Sequence, residues 1–335
     1  MKFLVRYLIP RLAQYVLVIW AGMTIVFIIP RLMPTDPVRA QIATLQTQGT
    51  LLGPDAVRQM IATLEEMYGL TGTVFDQYVS YWGRLLGGDF GPSFFMFPTP
   101  VLQLIGRAMP WTVGLLLVST VVGWVLGSMF GGLAGYFRDS RLFKVIDGMA
   151  MFIRPVPYYI MAVLLIILLG YVFPLFPLGG AYPIGARISF TWASMMSILR
   201  HAALPLLSLT LLSAATWHQT MRLIVQSVKD EDYIRYAKIG SVRESTIFGR
   251  YVMRNAILPQ ITGLTLALGQ IFGGALITEI AFTYPGVGSL LYQAIINTDY
   301  NLIMAITTIS IFAIVTGLLV IDLLYPLFDP RIRYR

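Results

Sequence analysis

Six stretches of this chain carry no charged side chain over lengths that matter to a bilayer. They lie between Arg11 and Arg31, Arg107 and Arg138, Arg154 and Arg187, Arg200 and Arg222, Arg254 and Glu279, and Asp299 and Asp322, enclosing 19, 30, 32, 21, 24 and 22 residues. A helix needs about 20 apolar residues to cross the hydrocarbon core. The runs are continuous rather than alternating, which excludes a β-barrel. Composition agrees: 57% of the 335 residues are hydrophobic and 12% are charged, where a soluble domain carries about 25% charged residues. An ordinary soluble enzyme and a disordered chain are excluded. With no cysteine, so are a disulfide scaffold and any Cys-ligated metal site. The fold class that follows is an all-α integral membrane protein with six transmembrane helices.

The placement of charge gives the direction. Residues 1–11, 138–154, 222–254 and 322–335 hold 17 Lys/Arg and 8 Asp/Glu, whereas 31–107, 187–200 and 279–299 hold 7 and 8. The net charge of +8 is therefore a basic face on the side of the termini and a nearly neutral face opposite. Positive-inside topology puts both termini in the cytoplasm. It also accounts for the basic balance without nucleic acid. The first apolar run exceeds a usual signal-peptide core and lacks a small-x-small cleavage site, so it reads as a retained span.

Between the first two spans lies the longest external segment. The chain divides into residues 1–33 (tail and first span), 34–110 (external helical region) and 111–335 (the core of spans two to six), the last carrying a cytoplasmic loop at 222–254. Gly53-Pro54 opens an amphipathic helix with Val57, Met60, Ile61, Leu64 and Met67 on one face, and Gly69 is placed to end it. Phe75 to Leu86 repeats the pattern, and Thr99-Pro100 predicts a short helix ending near Arg107. The region lacks His, and no catalytic or metal role is expected of it.

Span two carries Ser119, Gly123, Gly127, Gly131 and Gly135, each four apart. Small residues at this spacing let helix backbones approach closely in lipid. Tight packing within one subunit and a sliding or subunit-contact surface both fit. Span three is predicted to give way to an apolar external loop around Pro174, Pro177, Gly179 and Gly180.

Several chemistries are missing. No acid or base lies deep within a window, where proton-coupled carriers need one. His218, Gln219 and Gln270 are the intramembrane polar groups, with His201 near a mouth, and a lone His at such a place reads as packed rather than catalytic. No Ser-Gly dipeptide occurs, which argues against an intramembrane serine protease. Neither His begins a His-Glu-x-x-His zinc motif, and none of the four lysines follows a glycine, so there is no P-loop. If transport is driven, the energy arrives through a partner.

The loop 222–254 concentrates 11 charged residues in 33. Asp230, Glu231 and Asp232 sit where a helix N-terminus favours acids. Tyr233, Ile234, Ala237 and Ile239 supply apolar contacts, Gly240 breaks the run, and Ile247, Phe248, Tyr251 and Val252 lead to Asn255-Ala256-Ile257-Leu258-Pro259. A docking helix across the cytoplasmic face and a solvated loop both fit this pattern. The stretch Glu231 to Ala237, continued through Arg254 to Pro259, resembles the coupling motif of ABC importer permeases, and more closely the dipeptide/oligopeptide/nickel branch, first-permease type. Further matches are Arg31-Leu32-Met33-Pro34-Thr35-Asp36-Pro37, Gly87 to Ser93, Pro100-Val101, Thr278 to Gly288, Asp299-Tyr300, Asp322 to Tyr325 and Asp329 to Tyr334. Nearly the whole chain is covered. Two departures stand out: the family's coupling glycine falls where this chain has Ser241, with Gly240 one place early, and Thr35 replaces the usual glycine before Asp36.

The resemblance implies a type I ABC importer permease fold with an external helical insertion between helices 1 and 2, in the prokaryotic inner membrane. It implies half of a translocation pore, paired with a second homologous permease, two cytoplasmic ATPases and an extracytoplasmic solute-binding protein. ATP and Mg²⁺ belong to the ATPases, and this chain binds no cofactor or metal and is not itself an enzyme. Di- and oligopeptides are the expected cargo, with nickel chelates, opines or oligosaccharides as alternatives, and a secondary carrier or channel as the rival class. The residues implied for ATPase coupling are Glu231, Asp232, Tyr233, Arg235, Ala237, Gly240 and Ser241, with Tyr233 or Ala237 filling an ATPase groove. Gly123, Gly127, Gly131 and Gly135 pack helices. Glu279, Tyr284, Pro285 and Gly286 are candidates for an external gate or a binding-protein contact. Glu279 is open to two readings, one facing substrate amines and one forming a structural pair with a partner subunit.

Overall fold

The computed structural model describes residues 8–32, 53–67, 69, 71–183, 185–186, 189–271 and 274–328. The motifs at 33–37 and from Asp329 onward lie outside them. Four helices among the described residues are long and apolar enough to cross a membrane: Ile9–Leu32, Val101–Tyr136, Trp192–Lys229 and Tyr300–Leu323. A fifth span results if Arg141–Ile153 and Tyr158–Val172, bent by 109° at their junction, count as one. The window between Arg254 and Glu279 does not become a single helix. It divides into Arg254–Gly269 and Leu276–Ala281.

In order, the helices are α1 (Ile9–Leu32), α2 (Pro54–Met67), α3 (Val74–Gly87), α4 (Val101–Tyr136), α5 (Arg141–Ile153), α6 (Tyr158–Leu165, extended by a π-helix to Val172), α7 (Trp192–Lys229), α8 (Asp232–Ile239), α9 (Glu244–Thr246), α10 (Arg254–Gly269), α11 (Leu276–Ala281), α12 (Val287–Ile296) and α13 (Tyr300–Phe328). A π-helix, Ile247–Met253, joins α9 to α10. The short helix expected to stop near Arg107 does not stop. It continues as α4 for 36 residues through Pro110. A charge marks depth in the bilayer, but it does not break a helix.

The chain groups into two compact units, Met1–Pro110 with Gly286–Thr316, and Trp111–Pro285 with Gly317–Arg335. Residues 286–316 thus group with the N-terminal part. In the first unit, α3 begins with a capping box. The Thr73 hydroxyl accepts from the Asp76 N–H and the Asp76 carboxylate accepts from the Thr73 N–H. It ends at Gly88, whose φ of +69° favours glycine. Its aromatic face seats on α1: Tyr78 bonds Thr24 at 2.8 Å and meets Phe27 edge-on, while Gln77 accepts from the Arg31 guanidinium. Asp299 caps α13 by accepting from the Leu302 N–H, and it is buried with Ser93 Oγ and the Phe95 N–H as further donors. A buried carboxylate with several donors keeps its charge compensated.

In the second unit, α4 and α7 pack through the glycine face of α4. α5 lies against α7, where Asp147 accepts from Arg222 Nε at 3.1 Å and from His218 Nε2 at 3.3 Å. His218 is buried, as a packed histidine should be. After α6 the chain becomes irregular from Phe173, and it folds back on the stretch after α11, with the Gly180 N–H donating to the Phe282 carbonyl.

Candidate functional site

The second unit carries the helix that the loop 222–254 predicts. α8 starts after Glu231 and buries one side chain completely, Ile234. Ile234 packs with Tyr136 of α4, Met221 and Val225 of α7, and Ile247, Val252 and Ala256 beyond it. Ile247 and Val252 are five apart, and the π-helix there lets both face the same core. This core ties α8 to the ends of three other helices. A polar brace reinforces it: the Tyr136 hydroxyl donates to Glu244, and Lys229 Nζ donates to the Tyr136 carbonyl at 2.7 Å and lies 5.1 Å from the Tyr136 ring.

The turn after α8 resolves the early glycine. The Val242 N–H donates to the Ala237 carbonyl and the Ser241 N–H to the Lys238 carbonyl, which is the Schellman arrangement. Ser241, not Gly240, takes the left-handed position, with φ +55°, while Gly240 has an ordinary φ of −73°. A left-handed residue with a side chain costs about 1–2 kcal/mol, and glycine's extra freedom in the unfolded chain offsets about 0.5–1 kcal/mol of that. Ser241→Gly is therefore expected to stabilise the purified protein by about 0.5–1 kcal/mol. A higher melting temperature in detergent is the check, and an unchanged or lower one contradicts it.

The coupling candidates fall on both faces of α8. Ala237 is half-buried and packs on the protein's own core. The Tyr233 hydroxyl accepts from Asn255 Nδ2 at 3.2 Å. Asp232 and Arg235 are exposed and pair with each other at 3.8 Å. The outward apolar face is formed by Tyr236 and Ile239, 73% and 79% exposed. The sequence pattern names Ile239 among the apolar contacts of this helix but passes over Tyr236, and their i, i+3 spacing is the available signal.

Each stripe glycine meets α7. A Cβ at Gly123 would lie 2.6 Å from Ser213 Oγ, at Gly127 2.5 Å from the Ala214 carbonyl oxygen, at Gly131 2.2 Å from that of His218, and at Gly135 2.7 Å from that of Arg222. The face is filled by this chain's own helix.

Glu279 and Tyr284 are buried. Thr112 Oγ1 donates to Glu279 Oε1 at 2.7 Å. Tyr284 packs edge-on to Trp111, and burial, with the Glu279 charge nearby, pushes its hydroxyl up to about 12. Pro285 is half-buried, and Gly286 precedes α12.

The family model described as binding-protein-dependent transport system inner membrane component matches residues 123–334. The oligopeptide transport system permease protein AppB of Bacillus subtilis is 32% identical over 314 residues, covering 93% of this chain and 95% of that protein. The dipeptide transport system permease protein DppB of Lactococcus lactis is 25% identical, covering 98% and 100%. The oligopeptide transport system permease protein OppB of Haemophilus influenzae is 28% identical, covering 99% and 100%. With helices apolar enough to span a membrane and a family model covering the stretch from the α4 glycines to the C-terminal tail, the chain belongs to the inner membrane components of binding-protein-dependent transport systems.

Proposed function

We propose that this chain is the permease subunit of an ATP-driven importer of di- and oligopeptides, forming half of its pore. Six spans cross the membrane, the composite helices around α6 and α10–α11 supplying the third and fifth, with both termini in the cytoplasm. The partners are a second homologous permease, two cytoplasmic ATPases that hold ATP and Mg²⁺, and an external solute-binding protein. The observation that carries this is α8, a short helix anchored by Ile234 to α4, α7 and α10 while Tyr236 and Ile239 point outward, on a chain without a P-loop. A push on α8 reaches the spans through packed side chains. Peptide cargo rests on the relatives' names, all three of them oligopeptide or dipeptide permeases. The stretch Glu279 to Gly286 acts in the external gate through its own packing.

Reconstitution into proteoliposomes with all partner subunits tests the proposal. Uptake of a labelled tripeptide is expected to need ATP, both ATPases and the binding protein. Uptake that persists without the ATPases would mean a secondary carrier, and ATP-driven uptake of nickel chelates, opines or oligosaccharides but not peptides would replace the cargo.

A further inference from the structure

The second unit contains a cavity of about 710 Å³, lined by α4, α6, α7, Ala267, Gln270, Ile271 and residues 274–278, within the size range of small-molecule sites. Its polar lining includes Ser119, Thr120, Ser213, Thr216, Trp217 and Gln270, and none of the described residues lining it is charged. The hydroxyls are aimed in a particular way. Ser119 Oγ donates back to the Leu116 carbonyl at 3.1 Å and Thr216 Oγ1 to that of Leu212 at 3.0 Å. Their protons are committed within the helix, so the oxygens are left to accept. Gln270 adds an amide that both donates and accepts.

The broken helix opens onto the same cavity. α10 ends at Gly269, Gly274 has φ +77°, and α11 begins at Leu276. Gln270, Ile271, Gly274 and Ala275 all line the cavity. Backbone outside a helix is tolerated at membrane depth only where protein buries it or water reaches it, and transporters place such interruptions at substrate sites. An uncharged surface of hydroxyl acceptors, one amide and irregular backbone matches the main-chain N–H and C=O groups that every peptide shares. It presents nothing that reads the charge of a peptide side chain.

We infer that this cavity is the chain's share of the translocation path, and that it holds peptides by their backbone amides while leaving side-chain charge unread. The inference rests on the peptide-importer proposal above.

The absence of cysteine makes the test direct. Thr216→Cys is assembled with cysteine-free partners in proteoliposomes, and its thiol is left free or modified by an aminoethyl or a sulfonatoethyl methanethiosulfonate. ATP-driven uptake of Ala-Lys-Ala and Ala-Glu-Ala is measured as a ratio, so that any preference of the binding protein cancels between samples. The unmodified variant is expected to keep the wild-type ratio. The cationic label lowers the Lys-to-Glu ratio by about 10-fold and the anionic label raises it by about 10-fold, because one unit charge at about 6 Å in a water-like dielectric shifts each peptide by about 3-fold in opposite directions. A ratio that neither label moves, or equal loss of both peptides with both labels, overturns the inference. If Thr216→Cys itself does not transport, Gln270→Cys carries the same readout. Wild-type protein that imports no peptide overturns the importer proposal instead, which separates the two failures.

Discussion

Replacing Gly131 by alanine is expected to destabilise the folded protein severely, and by leucine to prevent it from folding. The new Cβ would lie 2.2 Å from the His218 carbonyl oxygen and 2.8 Å from its Cα. These are backbone atoms in the middle of α7, so no rotamer change relieves the clash and the two helices must separate. Separation propagates, because a Cβ at Gly127 or Gly135 would also lie close to a carbonyl oxygen of α7, 2.5 Å from that of Ala214 and 2.7 Å from that of Arg222. It also disturbs His218 and Arg222, which bind Asp147 of α5. Overpacking a well-filled site costs about 1–3 kcal/mol, and the upper end is expected for Gly131→Ala. The control lies in the same helix. A Cβ at Gly114 meets nothing within 4 Å, so Gly114→Ala is expected to be neutral or to gain up to about 1 kcal/mol of helix propensity. Yield in the membrane and melting temperature in detergent separate them. Equal behaviour of the two variants would mean that α4 and α7 do not touch as described.

What the sequence makes legible here follows from local chemistry. Thr73 and Asp76 form a capping box and Gly88 takes the left-handed end of α3, all within a few residues of one another. The glycine spacing of α4 is equally local, but which helix fills it is not: the partner lies about 85 residues away, and the one-dimensional pattern fits a second subunit as well. Asp147 and His218 are 71 residues apart, so an acid that counts as cytoplasmic by its loop proves to be the anchor of α5 on α7. The surroundings of Glu279 are hard to read for a related reason. Its charge closes an apolar window, which places it at an external edge, whereas the loop after α6 folds back over its neighbours, with a Cβ at Gly179 only 2.7 Å from the Phe282 carbonyl oxygen. The break in the fifth window has a sequence signal that the charge count passes over, the pair Gly273-Gly274. Six windows therefore give the class of protein correctly, while the interruption that opens a cavity depends on backbone conformation that hydropathy does not encode.

Removing both Tyr236 and Ile239, as Tyr236→Ser with Ile239→Ser, is expected to disconnect ATP hydrolysis from peptide uptake and leave the fold intact. Both side chains point away from the protein and are mostly exposed, so their loss takes little from the folded state. In a docked complex, a truncated aromatic or aliphatic anchor costs about 1–2 kcal/mol or more. Together they should weaken ATPase docking by about 3 kcal/mol, roughly 100-fold. The charged pair Asp232–Arg235 is fully on the surface, with N to O at 3.8 Å, and such pairs contribute about 0–1 kcal/mol. Reversal of Arg235 is therefore expected to do less than the apolar double variant. Ile234 gives the opposite pattern. It is wholly buried under α8, and Ile234→Ala should cost about 2–5 kcal/mol of stability, lowering the melting temperature before any question of docking arises. Co-purification of the ATPases and peptide-stimulated ATP hydrolysis read the docking, and the melting temperature reads the fold. A double variant that still couples hydrolysis to uptake at the wild-type rate would move the docking surface away from the outer face of α8, and a double variant that melts early would mean that Tyr236 and Ile239 belong to the protein's own core.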